Sequence, residues 1–298
     1  MRKSLFACLP VLLLTTSLAF SQDLIPTACS DMTCAPGAPC CGGAMAPAAS
    51  DAGADRCFYV GIFGGGGGSS NVNATQNGTA LFTVGGPPDG LGPLAVISDG
   101  TTSSQGTAIF GMHIGREWSP GAPDNDWGVR PAAEFEAYYL GTTLNGTLNN
   151  PTPRLPEHNF ADNFPVNSGV FLANAVISLR TPLRRVSPYV GGGLGSAFVT
   201  IHNANSPQVA PPEAGVNHFN SGPNSSSWSF ATQAKAGVRV ALTERWSVFA
   251  EYRFLYLGQT EYTFGPTVYP THAPTTPWNV HLGGISEHLA VGGLEFNF

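Results

Sequence analysis

Read in steps of two, much of the chain separates into an apolar series and a polar one. The clearest case is Trp228, Phe230, Thr232, Ala234, Ala236, Val238, Val240 and Leu242, almost purely apolar, interleaved with Gln233, Lys235, Gly237 and Arg239. After Thr243, Glu244 and Arg245 the alternation resumes. Trp246, Val248, Ala250, Tyr252, Phe254 and Tyr256 then alternate with Ser247, Glu251 and Arg253. A period of two is that of an extended strand with unlike faces. The same pattern recurs in 107–118 (Ala108, Phe110, Met112 and Ile114 against Thr107, Gly111, His113 and Gly115). In 127–139, Trp127, Val129, Ala133, Phe135, Ala137 and Tyr139 oppose Arg130, Glu134, Glu136 and Tyr138. In 170–180, Phe171, Ala173, Ala175, Ile177 and Leu179 oppose Asn174, Ser178 and Arg180. With 58–63, 188–199 and the last eleven residues, 288–298, these make eight strands.

The connections alternate in length. Segments 69–105, 141–167, 201–226 and 257–285 are long and polar, whereas 119–126, 181–187 and 243–245 are short turns. Eight antiparallel strands joined in this rhythm predict an all-β, up-and-down transmembrane β-barrel with short turns at one end and large loops at the other. Within the first long connection, 79–84 and 94–98 read as a hairpin standing above the barrel. The count becomes ten if both also cross the membrane.

A soluble β-sandwich alternates as well. It does not require apolar faces of this length on nearly every strand. Only 11% of the residues are charged, glycine (37) and proline (25) are abundant, and mean hydropathy is +0.03. No apolar run of ~18 residues follows the amino terminus, so no membrane-spanning helix is expected. A formal charge of −6 disfavours nucleic acid as a partner.

The chain opens like a secretory signal, 1–21: Arg2 and Lys3, an apolar stretch, then Ala19 and Ser21 flanking Phe20 before Gln22. A disordered cysteine-rich periplasmic segment, 22–56, is expected next, and the barrel over 57–298. Export makes disulfides plausible among Cys29, Cys34, Cys40, Cys41 and Cys57. An odd count leaves one cysteine over, and connectivity cannot be read. Paired C-x-x-C knuckles are lacking, so no metal is assigned to them.

Three stretches carry a family likeness. The end, with Leu294, Phe296 and Phe298 in one phase, resembles the closing strand that Gram-negative outer-membrane barrels present to their assembly machinery. Phe58 and Tyr59, running into Gly64 to Gly68, resemble the opening strand of small barrels of this kind. Pro188, Tyr189, Gly191 and Gly193 resemble a strand common in OmpA-like and opacity-like barrels. The resemblance implies an eight-stranded outer-membrane protein, with lipid and the assembly machinery as partners. The four long external loops point to a structural or surface-interaction role, with an extracellular ligand at the loops. The chain is expected to lack a cell-wall-binding domain after the barrel.

If lipid covers the apolar phase, the polar phase points inward. Arg130, Arg180, Lys235, Arg239 and Arg253 then face Glu134, Glu136, Glu251 and Glu295. Charges held away from water must pair. An eight-stranded barrel is just wide enough for its own side chains. The expectation is therefore a lumen plugged by ion pairs, with a narrow porin-like channel as the alternative. No cofactor and no enzymatic activity are expected. Gly64 to Gly68 lack the lysine and helix of a phosphate loop. The histidines in or beside the long connections (His158, His202, His218, His272, His281, His288) form no Ser/His/Asp pattern and read as solvated.

Overall fold

A computed structural model describes residues 58–82, 92–118, 127–150, 158–183 and 185–298. The expected signal sequence, the cysteine-bearing segment and Cys57 lie outside them. The strands are β1 (Phe58–Ser69), β2 (Val72–Ala80), β3 (Leu94–Glu117), β4 (Gly128–Asn149), β5 (Asn159–Arg180), β6 (Val186–Ile201), β7 (Gln208–Ala210), β8 (Ser225–Ala241), β9 (Trp246–Leu257), β10 (Thr260–Phe264), β11 (Trp278–Leu282) and β12 (Ile285–Asn297). No helix occurs among the described residues.

Eight of these strands close into a ring in the order β1-β12-β9-β8-β6-β5-β4-β3, and β3 returns to β1. All neighbours are antiparallel. Closure joins the two ends of the ring-forming chain. Tyr59 stands opposite Asn297 and Ile62 opposite Leu294, while the other edge of β1 pairs Ile62 with Met112. The amide of Phe298 donates to the carbonyl of Phe58 at 3.0 Å. The inward glycines of β1 permit this closure, since a Cβ at Gly65 or Gly67 would run into the carbonyls of Ala290 and His288 on β12.

The strand count is eight. β2, β10 and β11 lie outside the ring, which corrects the ten-strand alternative. The predicted hairpin exists, but its first arm is 72–80 rather than 79–84, and its second arm is the upper half of β3. The expected polar loops are also corrected in part. Within 141–167, β4 continues to Asn149 and β5 begins at Asn159, their ladder unbroken from Gly128↔Arg180 to Leu148↔Phe160. Within 257–285, β10 and β11 form a second hairpin, and β11 pairs with β2. The only bulge in the β3–β4 ladder lies between Ser104 and Thr107.

These extensions follow a rule opposite to that of the ring. In the lower part of β4, Val129, Phe135 and Tyr139 point outward and are about half exposed, while Glu134 and Glu136 point inward and are buried. Higher on the same strand the inward phase carries Leu140, Leu144 and Leu148, all buried. β5 repeats this: Phe160 and Phe164 inside at the top, Phe171 and Ile177 outside at the bottom. On β4 and β5 the phase never changes, but the polarity does; on β3 the bulge shifts it by one residue, with Leu94 and Val96 buried above it and Ile109 and His113 below. The lower, apolar-outside zone runs round the whole ring: Ile62 on β1, Phe110 on β3, Leu194 on β6, Phe230 on β8, Tyr252 on β9 and Leu294 on β12 are all exposed. From Val129 to Tyr139 is about ten steps, roughly 33 Å of strand, which at a ~40° tilt stands ~25 Å tall, the height of a lipid-facing band. Tryptophans Trp118, Trp127 and Trp246 mark its lower rim and Trp228 its upper one.

Above the band, β2, β7, β10, β11 and the upper halves of β3 to β5 enclose a second apolar core. Phe164 stacks on Phe219 and Phe264 with centroids 6.3 and 6.2 Å away, and those two rings lie 4.5 Å apart. Replacing Phe164 with Ala should therefore loosen this outer layer by about 3–5 kcal/mol and leave the ring intact. Proteolysis of the folded protein should then cut within 201–226 and 257–285, with an unchanged heat-modifiable band on a gel. The outward Phe135→Ala change should leave the cleavage pattern as in the wild type.

Candidate functional site: the charged lumen

The polar phase of the ring strands converges on a column of charged side chains. At its lower end Glu117 receives Arg130 at 2.9 Å and Arg239 at 3.4 Å. Arg239 also reaches Glu295 at 3.0 Å, and His113 stands 3.5 Å from the same carboxylate. Higher up, the Lys235 ammonium bridges Glu134 and Glu136, with Glu136 Oε1 at 2.6 Å. Arg253 spans Glu136, at 3.2 Å, and Glu251. Neutral donors complete the carboxylates. Tyr59 donates to Glu134 at 3.0 Å, Tyr189 to Glu251 at 2.8 Å, and Gln233 to Glu136.

Each buried arginine is also held between two aromatic faces. Arg253 lies 4.6 Å from the Phe63 centroid and 5.2 Å from that of Tyr138. Arg239 lies 5.1 Å from Tyr59 and 5.4 Å from Tyr189. Guanidinium over an aromatic face is electrostatically favourable, more so when desolvated. Room for these rings comes from inward glycines on neighbouring strands. A Cβ at Gly115 would meet Tyr59, at Gly237 Tyr189, and at Gly61 His113.

Eight of the nine charged residues assigned to the lumen from sequence take part in these contacts. Arg180, on the same phase, ends β5 opposite Gly128 and is half-buried at the lower mouth. Reading by residue missed Glu117, which shares the inward phase of His113 and was visible by the same count of twos. It also left out His113 and the buried Glu287, whose Oε2 accepts from Thr107 at 2.8 Å. The column sets four cations, Arg130, Lys235, Arg239 and Arg253, against five glutamates, 117, 134, 136, 251 and 295, with His113 beside the last. The charges nearly balance, with one carboxylate in excess of the cations.

Of the three residues expected to form the closing apolar series, Leu294 and Phe298 face outward, and Phe296 is half-buried against Trp246, centroids 5.0 Å apart.

The outer core holds polar groups of its own. Gln76 and Ser206 hydrogen-bond at 3.1 Å across it. Asp162 is buried nearby, and burial pushes its carboxyl up to about 7, only partly offset by the Ser206 hydroxyl. His218 corrects the expectation of solvated histidines. It is 3% exposed, packed edge-on against Phe160 and Trp278, and burial holds its imidazole below the usual range.

No protein-family model and no curated protein matches the sequence. The chain is similar in structure to neisserial surface protein A, at 16% identity and a TM-score of 0.30 over 81% of this chain and 97% of that one. It is similar to the outer-membrane protease OmpT of Escherichia coli, at 9% identity and 0.38, covering 80% and 97%. It is also similar to the outer-membrane protein OprG of Pseudomonas aeruginosa, at 12% and 0.33, covering 78% and 95%. In fold class the chain is an eight-stranded antiparallel transmembrane-type β-barrel, on the strength of its own ring and apolar belt.

Two outcomes follow from these buried charges. Lys235→Met leaves Glu134 and Glu136 facing each other without their shared cation, and should cost about 3–5 kcal/mol. The temperature at which the compact gel band converts to the unfolded one should fall, and adding Glu136→Gln should recover part of it. Asp162 behaves oppositely to a paired carboxylate. Its folded value lies above its unfolded one, so its contribution is complete below about pH 4 and is lost as pH rises through about 7. Asp162→Asn should therefore stabilise the outer layer at pH 8, by on the order of 3 kcal/mol, and much less at pH 4.5. Hydrogen exchange across β4 and β5 at the two pH values reads the difference.

Proposed function

We propose that this protein is an integral outer-membrane barrel with a sealed lumen, whose folded outer layer is its working surface. One observation carries the reading. On β4 and β5 the outward phase is apolar low on the strand (Phe135, Tyr139, Phe171, Ile177) and polar above (Asn145, Thr147, Asn163, Asn167), as a chain passing from hydrocarbon into water requires. The exposed belt is too continuous for a monomer in water, where large apolar patches are rare. Residues 1–21 would then be removed on export, and 22–56 would form a periplasmic segment. Leu294, Phe296 and Phe298 would offer the assembly machinery an apolar closing strand.

The crossed ion pairs and the rings clamped on Arg239 and Arg253 support a lumen filled by side chains. That leaves the outer layer for interaction with an extracellular ligand, a non-catalytic role. Its core is packed, so it presents a shaped surface rather than loose loops. Reconstitution of the purified chain into planar bilayers tests the seal. Only brief, small current events are expected. A steady large-pore current would overturn the sealed lumen, and a chain that stays monodisperse in buffer without amphiphile would overturn the membrane reading.

A further inference from the structure

The outer layer brings together three groups that sequence reading kept apart. Glu213 and His218 lie in the connection between β7 and β8, and His272 in that between β10 and β11. The carboxylate Oε2 of Glu213 is 3.7 Å from Nε2 of His218 and 3.4 Å from Nε2 of His272, and the three atoms lie within 4.8 Å of one another.

The protons on these rings can be assigned from their other nitrogens. His218 Nδ1 is 2.7 Å from the carbonyl of Ser206, and His272 Nδ1 is 2.6 Å from that of Ala273. A carbonyl only accepts, so each Nδ1 carries a hydrogen. In the neutral ring, Nε2 is then a bare lone pair. Two lone pairs and a carboxylate oxygen therefore converge with no donor among them. The Glu213 oxygen is itself shielded from water and has no hydrogen-bond partner. A metal-bound imidazole is held in this way, its far nitrogen donating to a carbonyl while Nε2 points at the ion.

The geometry points to a binding site for a divalent transition metal of the zinc class, with His218, His272 and Glu213 as ligands. Tetrahedral zinc with bonds of about 2.0–2.1 Å places its ligand atoms about 3.3–3.4 Å apart, close to the two separations here. Two imidazoles and one carboxylate suit zinc and its neighbours rather than calcium or magnesium, which favour all-oxygen shells. His218 is held rigidly by Phe160 and Trp278, and its ring meets His272 edge-on at 5.4 Å. Glu213 and His272 are partly exposed, which leaves a path for the ion and a fourth position for water. The bound ion would fasten two surface connections that no strand pairing joins at this point.

The test uses the untagged chain, folded in detergent micelles and stripped with chelator. Its cysteines are alkylated first, so that no thiolate competes for the ion. Zinc chloride alone is titrated by calorimetry, and cobalt chloride is followed by its visible absorption. One ion per chain is expected, with a tetrahedral cobalt spectrum free of sulfur charge-transfer bands. Zinc should also raise the resistance of 201–226 and 257–285 to protease. Glu213→Gln and His272→Gln, both at partly exposed positions, should weaken binding at least tenfold and abolish the protection, with the heat-modifiable band unchanged. His281→Gln, a histidine elsewhere in the outer layer, should bind as the wild type does. No zinc uptake at millimolar concentration, or equal affinity in Glu213→Gln and His272→Gln, would overturn the site. Either result would leave the membrane reading untouched.

Discussion

Everything in this molecule follows from closing the sheet. A strand has two faces, and in a ring those faces become inside and outside for every residue at once. After β1 has paired with both β12 and β3, no strand can turn over without breaking two ladders. β4 and β5, whose ladder is unbroken, must then meet two different surroundings with a single fixed phase. Its solution is to change which kind of residue occupies each phase. β4 carries Glu134 and Glu136 inward where Phe135 faces out, and Leu144 and Leu148 inward a few steps higher, where Asn145 and Thr147 face out. One ladder thus passes through a polar interior and an apolar one without a break in hydrogen bonding.

The same constraint gives the buried charges a second role. A slip of one residue between β8 and either neighbour would turn Lys235 and Arg239 toward the belt and drive Ala234, Ala236 and Val238 into the lumen. A charge facing hydrocarbon is far costlier than an apolar residue facing inward. As a hypothesis about this chain, the ion pairs contribute more to selecting the register than to net stability, since buried pairs often gain little over apolar packing. The aromatic–glycine matches point the same way, because Tyr59 fits over Gly115 and Tyr189 over Gly237 in one register alone. Shape and charge therefore specify the same alignment.

How much of this could be read from the sequence depended on how strongly each zone is patterned. The ring strands were legible because their outward phase is almost purely apolar, as in Trp228 to Leu242, where lipid strongly disfavours charge. Partners in the lumen followed from the opposite phase, though pairing did not. That Glu117 links Arg130 to Arg239 depends on three strands meeting, and no local pattern encodes it. The upper strands were read as loops because their apolar members are sparse and sit on the phase expected to be polar. Leu140, Leu144 and Leu148 recur every fourth residue, with Thr142 and Gly146 between them. That spacing lacks the dense alternating face of a ring strand, since only every second inward position is apolar. Residues His218 and Asp162 escaped for a related reason: both lie in stretches rich in Asn, Pro and Gly, where sequence predicts solvent, and only the second core removes them from it.

That second core bears on how the outer surface can work. Loops on a barrel ordinarily sample many shapes, and a ligand that selects one must meet the cost of ordering them. Here the connections are tied to strands that rise directly from the ring. Trp278 of β11 donates to Thr267, whose hydroxyl donates to the carbonyl of His218, so three separate segments share one hydrogen-bonded chain. Gln76 of the first hairpin reaches Ser206 of another connection. The aromatic stack of Phe164, Phe219 and Phe264 fills the space between them. Because β4 and β5 are continuous from the lower rim to this layer, its position is fixed by the same ladder that fixes the lumen. A surface built in this way is ordered before any ligand arrives. Its affinity would then be set by the groups it displays rather than by the entropy of assembling them.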